Sequence, residues 1–386
     1  MEISARAAQL TPSLTLSIDS KAKAMKAEGI DVCGFGAGEP DFDTPDHIKA
    51  AAIAALEAGF TKYTPSAGLP ELRQAIADKL EADNQIKYRP SQIVVSSGAK
   101  HSCYNAILAT CQAGDEVLIP SPYWVSYPDM VKLAGADPVI VPTTERNGWK
   151  MRASDFENAM TPRTKMLILN TPGNPTGSVY TREELEAIVE VAAEEDIYIL
   201  SDEIYEKLVY DEVKHVSVAS LSQEAYDLTI TVNGFSKAYA MTGWRLGYLA
   251  APEAVAKAVD SIQSHSTSNP TSFAQKGAVA ALKGDQQALA DMRDEFLEED
   301  WLFEAITESY IPLLEMMQRL VRDDVPFKLT MTVTPTLCAM LHDQLLRERY
   351  VRHLDRLIDL AGREVERNRN DEQLRGLAEF YHANFS

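Results

Sequence analysis

Between residues 93 and 250, short apolar runs alternate with amphipathic segments, and each run gives way to polar or glycine-rich residues. The runs are IVVS at 93–96, EVLI at 116–119, MLIL at 166–169, IYIL at 197–200, LTITV at 228–232 and LGYLA at 246–250. Runs this short and this continuously apolar suit strands buried on both faces. The segments between them suit helices, as at 181–195, where Glu183 and Glu184 lie in the first turn. The alternation specifies an α/β fold, a mostly parallel sheet with helices on both faces. Sheets of this kind bind ligands beyond the carboxyl ends of their strands. Ser97, Asn170, Asp202 and Lys237 all stand just past a strand end.

Lys237 lies in the segment SKAYAMTGWRLG at 236–247, with Ser236 before it and Arg245 after it. A lysine taken alone is a solvated loop side chain. An amine with a hydroxyl and a guanidinium close by suits a phosphorylated aldehyde: the amine condenses with the aldehyde, and the other two groups hold the phosphate. The preceding strands supply further company. NTPGNPTG at 170–177 follows MLIL, and Asp202-Glu203-Ile204-Tyr205 follows IYIL.

In this order and spacing the three motifs resemble those of the class I aminotransferases. These are fold-type I enzymes that use pyridoxal 5'-phosphate, and the aspartate aminotransferase branch is the most similar. The resemblance extends from the N-terminus to about Phe296. It implies an N-terminal arm and substrate-entrance loop over 1–44 and a cofactor-binding large domain over 45–296. Lys237 is then the cofactor's anchor and the base that moves the Cα proton. Asp202 faces the pyridine nitrogen, while Tyr205 and Asn174 bond the ring's phenolate oxygen. Asn174 can also reach the substrate carboxylate. Ser236, Arg245 and the amides of Gly98, Ala99 and Lys100, at a strand-to-helix turn, clamp the phosphate.

Other segments carry the likeness further. PSPYW at 120–124 places Trp124 as the preferred ring-stacking aromatic, against its reading as a core tryptophan. The loop GFGAGEPDFDTP at 34–45 lines the substrate entrance, where Gly38 lets backbone approach the substrate carboxylate. Lys100 either adds charge near that carboxylate or is solvated. YTPSAGLPELR at 63–73 fits the family pattern in which Tyr63 crosses to a second subunit's phosphate, so a homodimer is implied. Outside that pattern Tyr63 is a tyrosine packed in a turn. The substrates implied are an aspartate-like L-amino acid and a 2-oxo acid.

Composition excludes other partners. The 386 residues hold 57 acidic against 37 basic side chains, a net charge of −20. Such a chain repels nucleic acid and anionic membranes. Cys33, Cys103, Cys111 and Cys338 are scattered without ligand spacing, so no metal is expected and reduced, mostly structural thiols in a cytoplasmic protein are. The N-terminus has no uninterrupted apolar segment of the kind a signal peptide or membrane span requires.

The family pattern stops near Phe296. Its small domain normally carries a strand of the proline-glycine-alanine-phenylalanine-tyrosine type and an arginine in an R-x-S context that grips the substrate α-carboxylate. Residues 297–386 contain neither. Basic usage changes there too, from 17 Lys and 9 Arg over 1–296 to 1 Lys and 10 Arg beyond. The stretches WLFEAITESYIPLL from 301, LTMTVTPTL from 329 and RERYVRHLDRLIDLAGREVER from 347 resemble instead the N-terminal part of family 57 glycoside hydrolases and α-glucan branching enzymes. That family's His-x-His loop and catalytic carboxylates are not carried.

Apolar spacing in the tail predicts helices over 301–322 and 342–368 with a short strand near 327–333. Its arginines interleave with acids as on solvated helix faces. The chain reads as a fusion in which a mainly helical segment replaces the usual small domain. The resulting expectation is an aminotransferase weakened by loss of its carboxylate clamp. Its alternatives are a cofactor-binding protein without turnover and carbohydrate chemistry in the tail.

Overall fold

The computed structural model describes residues 38–40, 42–210 and 213–296, most of 3–32, the helix at 344–367 and isolated positions elsewhere in the tail. The chain divides into two compact units, Met1–Arg293 and Asp294–Ser386. In the first, the strands are β1 (Ile93–Ser96), β2 (Glu116–Ser121), β3 (Asp137–Pro142), β4 (Thr164–Asn170), β5 (Tyr198–Asp202), β6 (Thr229–Gly234) and β7 (Gly247–Ala250). They form one sheet in the order β1-β7-β6-β5-β4-β2-β3. Pairing from β6 through β3 is parallel, and β7 runs antiparallel to both of its neighbours. Because β7 is inserted between β1 and β6, those two point the same way. The carboxyl ends of β1, β2, β4, β5 and β6 therefore share one edge.

The helices are α1 (Ala5–Ala8), α2 (Leu14–Ala27), α3 (Asp46–Glu57), α4 (Pro70–Asn84), α5 (Ala99–Thr110), α6 (Tyr127–Ala134), α7 (Ala153–Ala159), α8 (Arg182–Glu194), α9 (Gln223–Leu228), α10 (Glu253–Ser266), α11 (Ser272–Lys283) and α12 (Gln287–Phe296). Helix α8 begins where the sequence says it must. Thr181 Oγ1 accepts the Glu184 amide at 3.3 Å, and the Glu184 carboxylate accepts the Thr181 amide at 2.8 Å. That reciprocal cap satisfies two amides that the helix leaves unpaired. In α4, Pro70 takes the first position, where its missing N–H costs nothing, and Gln85 at φ 60° ends the helix.

Strand alternation divides the core between the two faces of the sheet. Met166 and Ile168 of β4 lie with Leu200, Ile230 and Val232 against Ile107 of α5, Val131 of α6 and Val259 of α10. Leu167 and Leu169 lie with Ile199 against Phe156 of α7 and Leu185 and Ile188 of α8. A third cluster joins Ile48 of α3, Leu72 and Ile76 of α4, Ala278 of α11, and Ile93, Val95 and Tyr248 of the sheet. Truncating one such fully buried aliphatic residue to alanine costs about 2–5 kcal/mol, so the sheet edge that carries the polar residues rests on a close-packed base.

In the second unit the helix anticipated over 342–368 is α13 (Gln344–Arg367). The strand near 327–333 lies outside the described residues. So does the helix over 301–322 apart from Met316, Gln318, Arg319 and Arg322, which are helical. Loop residues 33–37 and Asp41 are likewise outside. Cys103 and Cys111 are buried free thiols, whereas Cys33 and Cys338 are not described. No described helix is long and apolar enough to cross a membrane.

Candidate active site

Parallel register sets the first part of the site. Asn170 and Asp202 are directly paired at the ends of β4 and β5, and Asn170 Nδ2 donates to the Asp202 main-chain carbonyl at 2.9 Å. The Asn170 side-chain oxygen accepts the Asn174 amide at 2.6 Å, which folds the NTPGNPTG loop back over the strand end. Asn174 Nδ2 then reaches the Tyr205 hydroxyl at 3.5 Å. Tyr205 stands on the turn that leaves β5, and its phenol is pushed up to about 12, chiefly by burial and then by the charge of Asp202.

Asp202 is 3% exposed. Its Oδ2 accepts the Tyr127 hydroxyl at 2.8 Å and the Cys103 thiol at 3.7 Å, and its Oδ1 accepts the Ile204 amide at 3.3 Å. Burial raises its pKa, and these hydrogen bonds only partly offset that. Among the described residues no cation pairs with it. A buried carboxylate supplied with donors and lacking a counter-ion is a socket for a positive group.

The opposite charge stands beyond the end of β1. Gly98, at φ 95° and ψ 159°, precedes α5. A Cβ on Gly98 would lie 2.9 Å from Arg245 Cζ, so only glycine leaves room for the guanidinium there. Arg245 Nη1 donates to the Thr242 carbonyl at 2.8 Å and Nη2 to the Ser97 carbonyl at 3.4 Å, with no carboxylate partner among the described residues. A Cβ on Gly247 would lie 2.6 Å from the Gly98 carbonyl carbon, so a second glycine permits the close approach of β7 to this turn. The Gly98 amide donates to Ser96 O at 2.8 Å and the Ser97 amide to His101 Nδ1 at 3.3 Å. Ala99 and Lys100 remain as first-turn amides of α5, so the expected trio of free amides is reduced to two.

Lys237 follows β6 on the same edge of the sheet. Its Nζ is 5.5 Å from the centre of the Tyr205 ring and donates to the Gly38 carbonyl. Burial lowers its pKa, opposed by the charge of Glu39. Ser236 is 9% exposed, and its carbonyl accepts the Met241 amide at 3.2 Å in the turn that presents Lys237. Trp124 meets Tyr127 edge-on at 5.2 Å, and Lys100 Nζ lies 4.8 Å from the Trp124 ring centre. Burial and the charge of Arg245 lower the Lys100 pKa.

Asn174, Tyr205, Lys237 and Gly38 thus form one connected set. Asp202, Tyr127, Trp124, Lys100, Gly98 and Arg245 form a second along the same edge. Tyr63 stands apart from both and is 89% exposed. Two partners of Asp202 escaped the reading of motifs. Cys103, in sequence one of four scattered thiols, touches the central carboxylate. Tyr127 had one signal, its position one helical turn after Trp124 at the start of α6. A further buried group, Glu203, lies inside the Asp202-Glu203-Ile204-Tyr205 motif. It accepts Ser201 Oγ at 2.8 Å, Ser217 Oγ at 2.9 Å and His215 Nε2 at 3.1 Å.

A doubly covered sheet whose carboxyl edge carries this lysine, carboxylate, phenol and arginine defines a class, and comparison agrees with it. Residues 30–316 match the family "Aminotransferase class I and II", and the chain belongs to that family. It is 53% identical over 296 residues to the aspartate aminotransferase of Bacillus subtilis (strain 168), covering 77% of this chain and 75% of that one. It is 52% identical over 296 residues to a probable aspartate/prephenate aminotransferase of Aquifex aeolicus (strain VF5), covering 76% and 75%. The solved structure of the Thermus thermophilus aspartate aminotransferase with maleate matches at a TM-score of 0.75 and 43% identity, covering 80% of this chain and 81% of that one.

The protein is accordingly an aminotransferase dependent on pyridoxal phosphate, and its residues fit that cofactor. The cofactor's phosphate would call for a cation with free amides, for which Arg245 and the start of α5 are suited. A protonated pyridine nitrogen would call for a buried anion, for which Asp202 is suited. Its aldehyde would call for an amine on the same edge, for which Lys237 is suited.

Proposed function

We propose that this chain transfers the amino group of an aspartate-like L-amino acid to a 2-oxo acid at the edge between Asp202 and Arg245. The observation that carries the reading is a buried carboxylate and an arginine that, among the described residues, have no ion-pair partner, on the strand edge that also carries Lys237. Pyridoxal phosphate, when bound, supplies an aldehyde that condenses with amines and a ring that takes up the electron pair released at Cα. Lys237 Nζ anchors that aldehyde and then carries the proton from the substrate Cα. Its lowered pKa enlarges the neutral fraction able to do so. Asp202 holds a proton at the ring nitrogen. Tyr205 Oη and Asn174 Nδ2 orient the phenolate oxygen. Arg245, Ser236 and the amides of Ala99 and Lys100 bind the phosphate, with Gly98 leaving the space they need. Trp124 stacks on the ring.

Gly38 and Asn174 meet the substrate. Aspartate and prephenate, the substrates in the relatives' names, are both carboxylates, and Lys100, beside Trp124, adds positive charge near the substrate carboxylate. The exposure of Tyr63 supports its reaching the phosphate of a second subunit, so the working unit is a homodimer in the cytoplasm.

Turnover is weak in this reading because residues 297–386 lack the R-x-S arginine. Loss of a charge partner that would grip the α-carboxylate costs about 2–5 kcal/mol. A steady-state assay with aspartate and 2-oxoglutarate tests this. Slow turnover with a raised apparent KM for aspartate is expected, and brisk turnover at millimolar aspartate refutes the weakening. The same missing arginine favours one alternative, a cofactor-binding protein without turnover, which is distinguished by failure to exchange the substrate Cα proton with solvent. Carbohydrate chemistry in the tail would require α-glucan hydrolysis, and none is expected, because the catalytic residues of the family 57 glycoside hydrolases are not carried.

A further inference from the structure

The carboxylate assigned to the ring nitrogen is itself held from behind. Tyr127 is 2% exposed and opens α6, and its ring is set at 89° to Trp124, which aims the hydroxyl at Asp202 Oδ2, 2.8 Å away. Cys103 of α5 approaches the same oxygen at 3.7 Å. Burial and the negative charge of Asp202 hold both the phenol and the thiol in their protonated forms, so each can only donate. On the chain that leaves β5, Glu203 adds a like charge that favours protonation of Asp202, and Tyr205 senses the Asp202 charge without bonding to it. Among the described residues no Lys, Arg or His pairs with Asp202. Tyr127 is therefore the strongest side-chain donor to this carboxylate.

We propose that Tyr127 is a positioning residue that decides on which side of the contact between Asp202 and the ring nitrogen the proton resides, with the Cys103 thiol as a weaker second donor. The inference rests on the reading that Asp202 faces that nitrogen. Donation to a carboxylate stabilises its ionised form, and burial does the reverse. With the Tyr127 bond in place, Asp202 is acidic enough to leave the proton on nitrogen, where a positive ring draws electrons best. Without it the carboxyl becomes the better base, the proton moves to oxygen, and the ring becomes neutral.

The experiment is a nitrogen NMR measurement on the holoenzyme reconstituted with cofactor labelled with ¹⁵N in the ring. In Tyr127→Phe the ring nitrogen signal should move from the protonated toward the unprotonated range. At the same time kcat should fall between about tenfold and about a hundredfold, as for loss of a hydrogen bond to a charged group, with KM changed by less than about twofold. Cys103→Ala should shift the signal in the same direction and by less. A cavity of about 30 Å³ lined by Tyr127, Asn170 and Asn174 is large enough to hold a water beside the site of the lost hydroxyl.

A second variant therefore carries 3-fluorotyrosine at position 127, a stronger donor of nearly the same shape. It should move the signal further toward the protonated range, and it also serves if Tyr127→Phe fails to fold. An unmoved signal in both Tyr127 variants overturns the proposal and leaves the phenol a packing group. Asp202→Asn separates the two levels. If the signal stays protonated in Asp202→Asn, Asp202 does not face the nitrogen and the underlying reading falls with the proposal. If it moves in Asp202→Asn but in neither Tyr127 variant, only the proposal falls.

Discussion

Replacing Gly98 by alanine isolates the phosphate end of the site from its chemistry. The residue sits at φ 95° and ψ 159°, a region open essentially to glycine alone, and forcing a side chain into it costs on the order of 1–3 kcal/mol. That cost falls on folding, with or without cofactor, and corresponds to a fall in Tm of roughly 2–10 °C for a domain of this size. The added Cβ would also stand 2.9 Å from Arg245 Cζ and 3.3 Å from its Nη1, so the guanidinium must leave the start of α5. A charge-assisted hydrogen bond to phosphate contributes about 1.5–3 kcal/mol, so the Kd for pyridoxal phosphate should rise between about tenfold and about a hundredfold. Titration of the apoprotein, followed by tryptophan fluorescence, measures it. Pyridoxal without its phosphate is the internal control, since its affinity should change little. If the two affinities fall together, or neither falls, Arg245 does not grip the phosphate and the reasoning from Gly98 fails.

Lys237→Ala should still bind pyridoxal phosphate through the phosphate end but lose the visible absorption of the lysine-bound form. Borohydride reduction followed by peptide mapping should then find no labelled lysine, and label on another lysine would show that the anchor is misassigned. His215→Gln probes the buried Glu203 cluster. Burial alone would lower the His215 pKa, but its hydrogen bond to Glu203 and the charges of Glu203 and Glu206 outweigh that and raise it above the ordinary 6.5. A pKa raised by folding contributes stability that is fully present below the unfolded value and is lost as pH rises through the folded one. The gap in unfolding free energy between wild type and His215→Gln should therefore be largest in mild acid, about 1.5–3 kcal/mol, and narrow toward alkaline pH. Urea melts across that range measure it, and a gap that widens with pH contradicts the assignment.

The candidate site was legible in the sequence wherever a strand ended on a residue with its own chemistry. Asn170, Asp202 and Lys237 follow apolar runs whose period and length are set locally, so their place on one edge follows once the sheet is parallel. The order of strands was not legible. Inserting β7 between β1 and β6 requires contacts between residues far apart in the chain, such as Ser96 with Gly247. That insertion brings Arg245 over Gly98. Helix ends shifted by a residue or so for a similar reason: at Thr181 the cap is made by a side chain that belongs to the loop.

By itself the sequence determined the α/β class, the buried strands and the polar strand ends, and it singled out the lysine, carboxylate and arginine to which the proposed chemistry is assigned. Each of these is written in residue type and short-range spacing, which local physics reads without knowing the fold. Tertiary structure decided which groups are burdened by burial and which donors relieve them. Asp202 is a surface-type residue until β4, β6, α5 and α6 close around it. Only then do Tyr127 and Cys103, 75 and 99 residues away in the chain, become its hydrogen-bond donors. The free energy of a charge depends on everything within several ångströms of it, and in a chain of this length those neighbours come from every part of the sequence.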